Sequence, residues 1–344
     1  MPALPRWLSP LLFAAALAAA FWRIPEVAPP RVEPPAFSAA PGPQPIFAAG
    51  MLPAVGAFAG APSLAQLADG RIAAAWVSGS GETATDLAIY FSLLERDGWS
   101  EPRLIANRES AAGGLFAHIR RVGQPQLFVE GTWLHLWYAA IGIGGGANVA
   151  LAHSVSTDGG RHWSPPKRLP SSPLGGYGGA PAGAPQPLAD GGLALPLRQE
   201  LFSGHAEWLR LSATGRILDK TRLTHSRRAP PALALSLDAA RALPDPGPAH
   251  PDTPLAALRL PNGRLLLAGN PASGRATLML WLSTDEGQTW RAAKTLENAA
   301  DSAADFSAPA LLLGRDGQIH LAYAWRGRGI RSLGFNEAWL AQEP

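Results

Sequence analysis

Ser156-Thr157-Asp158-Gly159-Gly160-Arg161-His162-Trp163 and Ser283-Thr284-Asp285-Glu286-Gly287-Gln288-Thr289-Trp290 are near copies, both reading S-T-D-x-G-x-x-W after an apolar run. The chemistry of the pattern is structural. Ser and Asp side chains hydrogen-bond nearby backbone amides, Gly takes a positive φ, and Trp closes the turn against its sheet. Four fixed positions matched twice in one context specify a repeated turn between strands and name no reaction.

A second signature returns at long intervals: an apolar run, a Gly turn, then an alternating strand. It occurs at Asp69-Gly70, Glu130-Gly131, Asp190-Gly191, Asn262-Gly263 and Asp316-Gly317. Asn-Gly and Asp-Gly favour two-residue type I′ hairpins. A third strand follows at residues 86–93, 148–154, 207–211, 276–282 and 330–335, and the second and fourth of these lead into the two boxes. Asp97-Gly98-Trp99 reads as a degenerate box. Each unit is therefore a four-stranded antiparallel sheet, the blade of a β-propeller. Five units are clear, while residues 231–237 and the Pro-rich stretch 243–254 leave a remnant roughly thirty residues short of a blade. A six-bladed ring with a stunted fourth blade is favoured over five blades, with residues 46–49 closing the last blade as a clasp.

S-x-D-x-G-x-x-W is the Asp-box, and from about Phe58 to Leu340 the chain resembles the bacterial sialidase-like family that carries it. The resemblance also rests on residues 76–90, on Leu188-Ala189-Asp190-Gly191-Gly192, on Glu207-Trp208-Leu209-Arg210-Leu211, and most on residues 305–326. It implies an exo-α-sialidase-like hydrolase acting on acidic sugars or surface polysaccharide. Such enzymes hold the substrate carboxylate with arginines, attack with a Tyr paired to a Glu, and use an Asp as acid/base.

Matching the family pattern residue by residue gives Glu82, Asp86 and Glu200 as catalytic candidates, and Arg121, Arg198, Arg326 and Arg331 as substrate-binding candidates. Arg328 belongs to the same basic cluster, and Gln124 stands where relatives have Asn. Three positions depart from the pattern. Ala308 replaces the nucleophilic Tyr of F-S-Y-P, Gly60-Ala61-Pro62-Ser63 lacks the family His, and Gly79-Ser80-Gly81-Glu82 lacks an Arg. Tyr323 and Tyr90 are the phenols left near the site in sequence. The alternative is a non-catalytic, membrane-tethered propeller that binds carbohydrate or protein at the cell envelope.

Composition narrows the classes further. The formal charge is +3, Lys occurs only at 167, 220 and 294, and no basic block is interleaved with aromatics, so nucleic-acid binding is excluded. The absence of cysteine removes disulfides and thiol chemistry. No His/Asp/Glu cluster has metal-ligand spacing, so neither metal nor cofactor is expected, and His135 and His320 read as packed strand residues. Gly142-Ile143-Gly144-Gly145-Gly146 lacks the following helix of a phosphate cradle. Arg6 followed by the apolar run 11–22 reads as a hydrophobic helix that is either a signal peptide or a short membrane anchor. The expected layout is residues 1–24 for that segment, 25–45 for a Pro/Ala-rich linker and 46–344 for the propeller. The expected protein is exported, periplasmic or membrane-anchored, and monomeric.

Overall fold

The computed structural model describes residues 8–22, 44–145, 148–170, 179–199, 205–222, 249, 253–301 and 303–342. The N-terminal unit holds one helix, Leu8–Trp22, with Pro10 in its first turn, where a missing N–H costs no hydrogen bond. Among the described residues no helix is long and apolar enough to cross a membrane.

The remaining residues build five antiparallel sheets. Blade I comprises Phe58–Gln66, Ile72–Gly79, Ala88–Glu95 and a fourth strand split into Gly98–Trp99 and Arg103–Ala106. Blade II comprises Arg121–Glu130, Trp133–Ile141, Val149–Ser156 and Lys167–Leu169. Blade III has a split first strand, Gly179–Pro181 and Gln186–Pro187, then Leu193–Gln199, His205–Leu211 and Ile217–Arg222. Blade IV comprises Ala256–Arg259, Leu265–Gly269, Thr277–Ser283 and Arg291–Asn298. In blade V, Phe306–Leu313, Ile319–Trp325 and Gly329–Phe335 are completed by Phe47–Met51, paired from Phe47↔Phe335 to Met51↔Arg331. This is the expected clasp.

The blade count differs from the sequence reading. The described residues form five blades, not six. Of the stretch expected to hold a stunted fourth blade, residues 231–237 and 243–254, all but Ala249, Thr253 and Pro254 lie outside the described residues. Its sequence has no Asp-Gly, Asn-Gly or Glu-Gly pair of the kind found between the first two strands of the five blades.

The core lies between blades rather than at the axis. Ala73, Ala75 and Val77 pack with Leu134, Leu136 and Tyr138 of blade II. The alternate residues Ile72, Ala74 and Trp76 pack with Ala322, Ala324 and Ile330 of blade V. A strand covered on both faces needs apolar side chains at both phases of its two-residue repeat. Blades II and III join through Trp137, Leu151, Leu195 and Leu209, and blades IV and V through Leu280, Leu321 and Tyr323.

The hairpins differ from the expected type in one respect. In blade I the Leu67 N–H donates to the Arg71 carbonyl and the Gly70 N–H to the Leu67 carbonyl, leaving three residues in the loop. Only Gly70 is left-handed (φ 92°), while Asp69 accepts from the Arg71 N–H at 3.1 Å. The turns at Gly191, Gly263 and Gly317 repeat this pattern. The Asp or Asn side chain stabilises the turn, so a three-residue loop replaces type I′. Short helices Arg108–Leu115 and Glu337–Leu340 also lie within the propeller, where the sequence reading placed none.

Candidate functional site

Strand polarity divides the ends of the ring. The first-to-second and third-to-fourth turns lie at one end, which therefore carries both Asp-boxes. The second-to-third loops and the connections between blades lie at the other. Three first strands are bulged near that second end, with register shifts at Gly60/Ser63, Gly123/Gln126 and Ser307/Ala310. At each bulge a non-glycine residue is left-handed: Ala61 (φ 47°), Gln124 (φ 49°) and Ala308 (φ 50°). Each precedes a buried proline, Pro62, Pro125 or Pro309. Proline supplies no ladder donor and is tolerated where the ladder is interrupted. A left-handed L-residue costs about 1–2 kcal/mol. Such outliers persist where surrounding packing holds them, often beside functional sites. Ser63 makes the blade I bulge a joint: its buried hydroxyl accepts from the Leu127 N–H of blade II at 2.9 Å.

The candidate carboxylates fare unequally. Asp86 folds back on its own loop, accepting from the Ser80 N–H at 3.2 and 3.1 Å and from the Ser80 hydroxyl at 2.9 Å. Those bonds, the hydroxyl's first, hold its pKa below the usual carboxylate range. Asp86 is therefore a poor proton donor. Glu82 is exposed on the same loop. Glu200 lies outside the described residues.

The arginines also separate. Arg121 donates through Nη1 to the Thr83 carbonyl at 3.2 Å, bridging blade II to the loop that holds Glu82. Arg326 is exposed and left-handed (φ 54°), its guanidinium 5.3 Å from the Trp325 ring centre and 5.8 Å from Phe306. Its N–H donates to the Asp305 carbonyl at 2.6 Å. Asp305 itself pairs with Arg275 at 3.2 Å. The next turn of chain reaches blade I, where the Ala59 N–H donates to the Gly327 carbonyl at 3.0 Å. Arg198 is exposed at the end of blade III's second strand. Arg331 is elsewhere: it faces the seam between blades IV and V, bound to Glu297 at 2.6 Å.

That seam holds a cluster the sequence reading missed. The Tyr323 hydroxyl donates to Glu297 Oε1 at 2.6 Å, the same oxygen that Arg331 contacts. A Tyr–Glu pair beside an Arg is the chemistry expected of the nucleophile, yet Tyr323 is fully buried. Burial first, and the bond to Glu297 next, push its pKa far above the ordinary phenol range. The group is locked as a neutral phenol in a packed interface. Glu297 sits on the outer strand that follows the second Asp-box, but no position of the box or of the family pattern falls on it, so no sequence signal marked it. Tyr90 packs against Trp76 (6.3 Å between ring centres) in the seam between blades I and V. Among the described residues no group of three His, Asp or Glu side chains is placed to hold a metal ion.

The boxes behave as structural turns. Asp158 Oδ1 accepts from the Ser156 hydroxyl and the Arg161 and His162 N–H groups, while Ser156 Oγ accepts from Gly160. Asp285 repeats the arrangement with Ser283 and Thr289. Trp290 packs on its own blade against Leu267 and Trp281. Trp163 instead reaches across to Phe91 of blade I, edge-to-face at 6.0 Å, where its own sheet alone was expected.

Five blades of four-stranded antiparallel sheet with boxed turns define a β-propeller of the sialidase type. Residues 70–243 and 232–321 match the BNR repeat-like domain, and the chain belongs to that family. Its fold is similar to that of the Hadza microbial sialidase Hz136 (16% identity, TM-score 0.57, 80% of this chain and 65% of that one). It is also similar to Trypanosoma rangeli sialidase (13%, TM-score 0.60, 83% and 55%). A third likeness is to the leech intramolecular trans-sialidase (12%, TM-score 0.63, 83% and 69%). At these identities the likeness concerns the fold, and the chain spans only 65% and 55% of the first two. No curated protein matches it.

Proposed function

We propose that this propeller binds acidic glycans at the end of the ring opposite the Asp-boxes and does not cleave sialosides through a covalent tyrosyl intermediate. One observation carries the reading: the nucleophile position is Ala308, and the phenol nearest to it in sequence, Tyr323, is fully buried against Glu297. A methyl group cannot attack, and a buried neutral phenol cannot reach a sugar. Retained binding is supported by Arg121, at the start of blade II's first strand, and by Arg326 and Arg328, in the turn between the second and third strands of blade V; all three lie at that end and form no ion pair among the described residues. Arg198 is exposed at that same end. Guanidinium forks suit carboxylates and sulfates. The test is a glycan array probed with the purified propeller. Acidic glycans should be retained over neutral ones, with retention falling at least fivefold in Arg121→Ala and Arg326→Ala. Equal retention of neutral and acidic glycans would refute the reading.

The N-terminal segment supports export, with Leu8–Trp22 as a signal or anchor and the Pro/Ala-rich stretch as a tether. N-terminal sequencing of the protein from fractionated cells tests this, and recovery from the cytoplasm with an intact Met1 would contradict it.

A further inference from the structure

Blade I stands between blade II, packed on one of its faces, and blade V, packed on the other. At the end opposite the Asp-boxes, each of these neighbours holds a guanidinium in a fixed place without an ion pair among the described residues. Arg121 of blade II is half-buried and donates to the Thr83 carbonyl, on the second-to-third loop of blade I, at 3.2 Å. Arg326 of blade V lies over Phe306 and Trp325, rings that belong to the seam between blades IV and V. Carboxylates adjoin both contacts in sequence, Glu82 beside Thr83 and Asp305 beside Phe306, yet neither guanidinium takes one. Arg326 also has φ 54° directly before Gly327 at φ 62°. Glycine suits such backbone at no steric cost, so an exposed arginine there points to a use for its charge.

The two heads do not meet. The Thr83 contact belongs to blade I, while Phe306 packs on the side of blade V that faces blade IV. At least one sheet spacing, about 10 Å, therefore lies between them. Charge-assisted N–H···O bonds need about 2.7–2.9 Å, so no single carboxylate or sulfate reaches both. The blade I loop that Arg121 touches presents exposed Thr83 and Thr85, whose hydroxyls suit sugar hydroxyls, and the exposed carboxylate of Glu82. That negative charge disfavours an anion over the loop itself and leaves the two arginines as separate anion points.

Resting on the acidic-glycan reading, we propose that the ligand of this end is a linear polyanionic glycan laid across blade I. One carboxylate or sulfate sits on Arg121 and another, further along the same chain, on Arg326. Arg328, exposed two residues on, extends the second point. A sugar with a single anionic group engages one arginine at a time, weakly. Two such contacts joined by one chain gain through effective concentration, by roughly 10²–10⁴.

The experiment is calorimetry on the full-length protein with an oligogalacturonate ladder, and with a heparin-derived ladder of matched lengths for the sulfate case. Affinity should be weak and flat for the shortest members, then rise about thirtyfold or more once the chain spans both points. Arg121→Gln and Arg326→Gln, which keep most of each side-chain stem, should each remove the rise and leave the weak binding. Arg161→Gln, at the Asp-box end, should change neither. The ladder with the larger rise identifies the anionic group. Affinity independent of chain length, or a rise that survives either substitution, overturns the two-point ligand and leaves the acidic-glycan reading in place. No binding of any member of either ladder overturns both.

Discussion

Glu297 shows how one side chain sets what its neighbours do. It accepts from Tyr323 and pairs with Arg331, with only 14% of its side chain exposed. Glu297→Ala strips both partners at once, and urea melts should register about 2–4 kcal/mol of lost stability. Tyr323→Phe removes one bond to a charged acceptor and should cost about 1–2 kcal/mol. A Glu297→Ala protein as stable as wild type would mean that the seam does not depend on it. The sequence singled out Ala308 and Gln124 only as departures from the family pattern. It was silent about their left-handed backbone, which depends on a bulge set by the neighbouring strand. It also put Arg331 in a basic cluster with Arg326, although five residues along a bent chain lead from the ring's end into a seam.

At the scale of elements, blade II carries two histidines side by side on its second and third strands. His135 Nδ1 and His153 Nε2 are 3.0 Å apart, stacked among Trp137 and Phe128. Burial, then the nearby His135 and Lys167, pushes the His153 pKa down to about 4. Burial lowers His135 as well, against the pull of Glu130. The unfolded chain therefore binds more protons than the folded one below about pH 6.5. Stability from His153 is full above that pH and should fall as the pH drops toward 4. Thermal melts from pH 8 to 4 check this, and His153→Asn should flatten the slope. A melting temperature that rises on acidification would contradict it.

The turns were legible because their residues act locally, through Gly φ and Asp side chains. The helix at Arg108–Leu115 was not, although Asn107 and Ser110 form a capping box. Its Ala- and Gly-rich body shows no amphipathic period, and it is held by tertiary contact with blade II. Trp163 also belongs to that contact. Half-buried against Phe91, it should cost about 2–3 kcal/mol on Trp163→Ala, below the range for a fully buried aromatic. Loss should appear in the coupling of blades I and II, read by hydrogen exchange in both.

Across the propeller, stability depends largely on seams, since the largest apolar clusters are shared between neighbouring blades. Arg315 of blade V reaches the Leu67 and Ala68 carbonyls of blade I, and Phe47 stacks on Trp339 at 4.7 Å beside the clasp strand. Removing residues 1–51 should lower the melting temperature and expose the edge Gly329–Phe335 to self-association, visible by size-exclusion chromatography. An unchanged monomeric profile would show the clasp to be dispensable. The central claim is that a sialidase-type ring without an accessible tyrosine retains glycan contact and loses cleavage. Its most direct test is a proton NMR time course of 3′-sialyllactose with stoichiometric protein. Broadened sialyl resonances with no free sialic acid after a day are the expected result. Steady release of sialic acid, lost in Glu82→Gln or Asp86→Asn, would contradict it and place a working hydrolase at the ring's end.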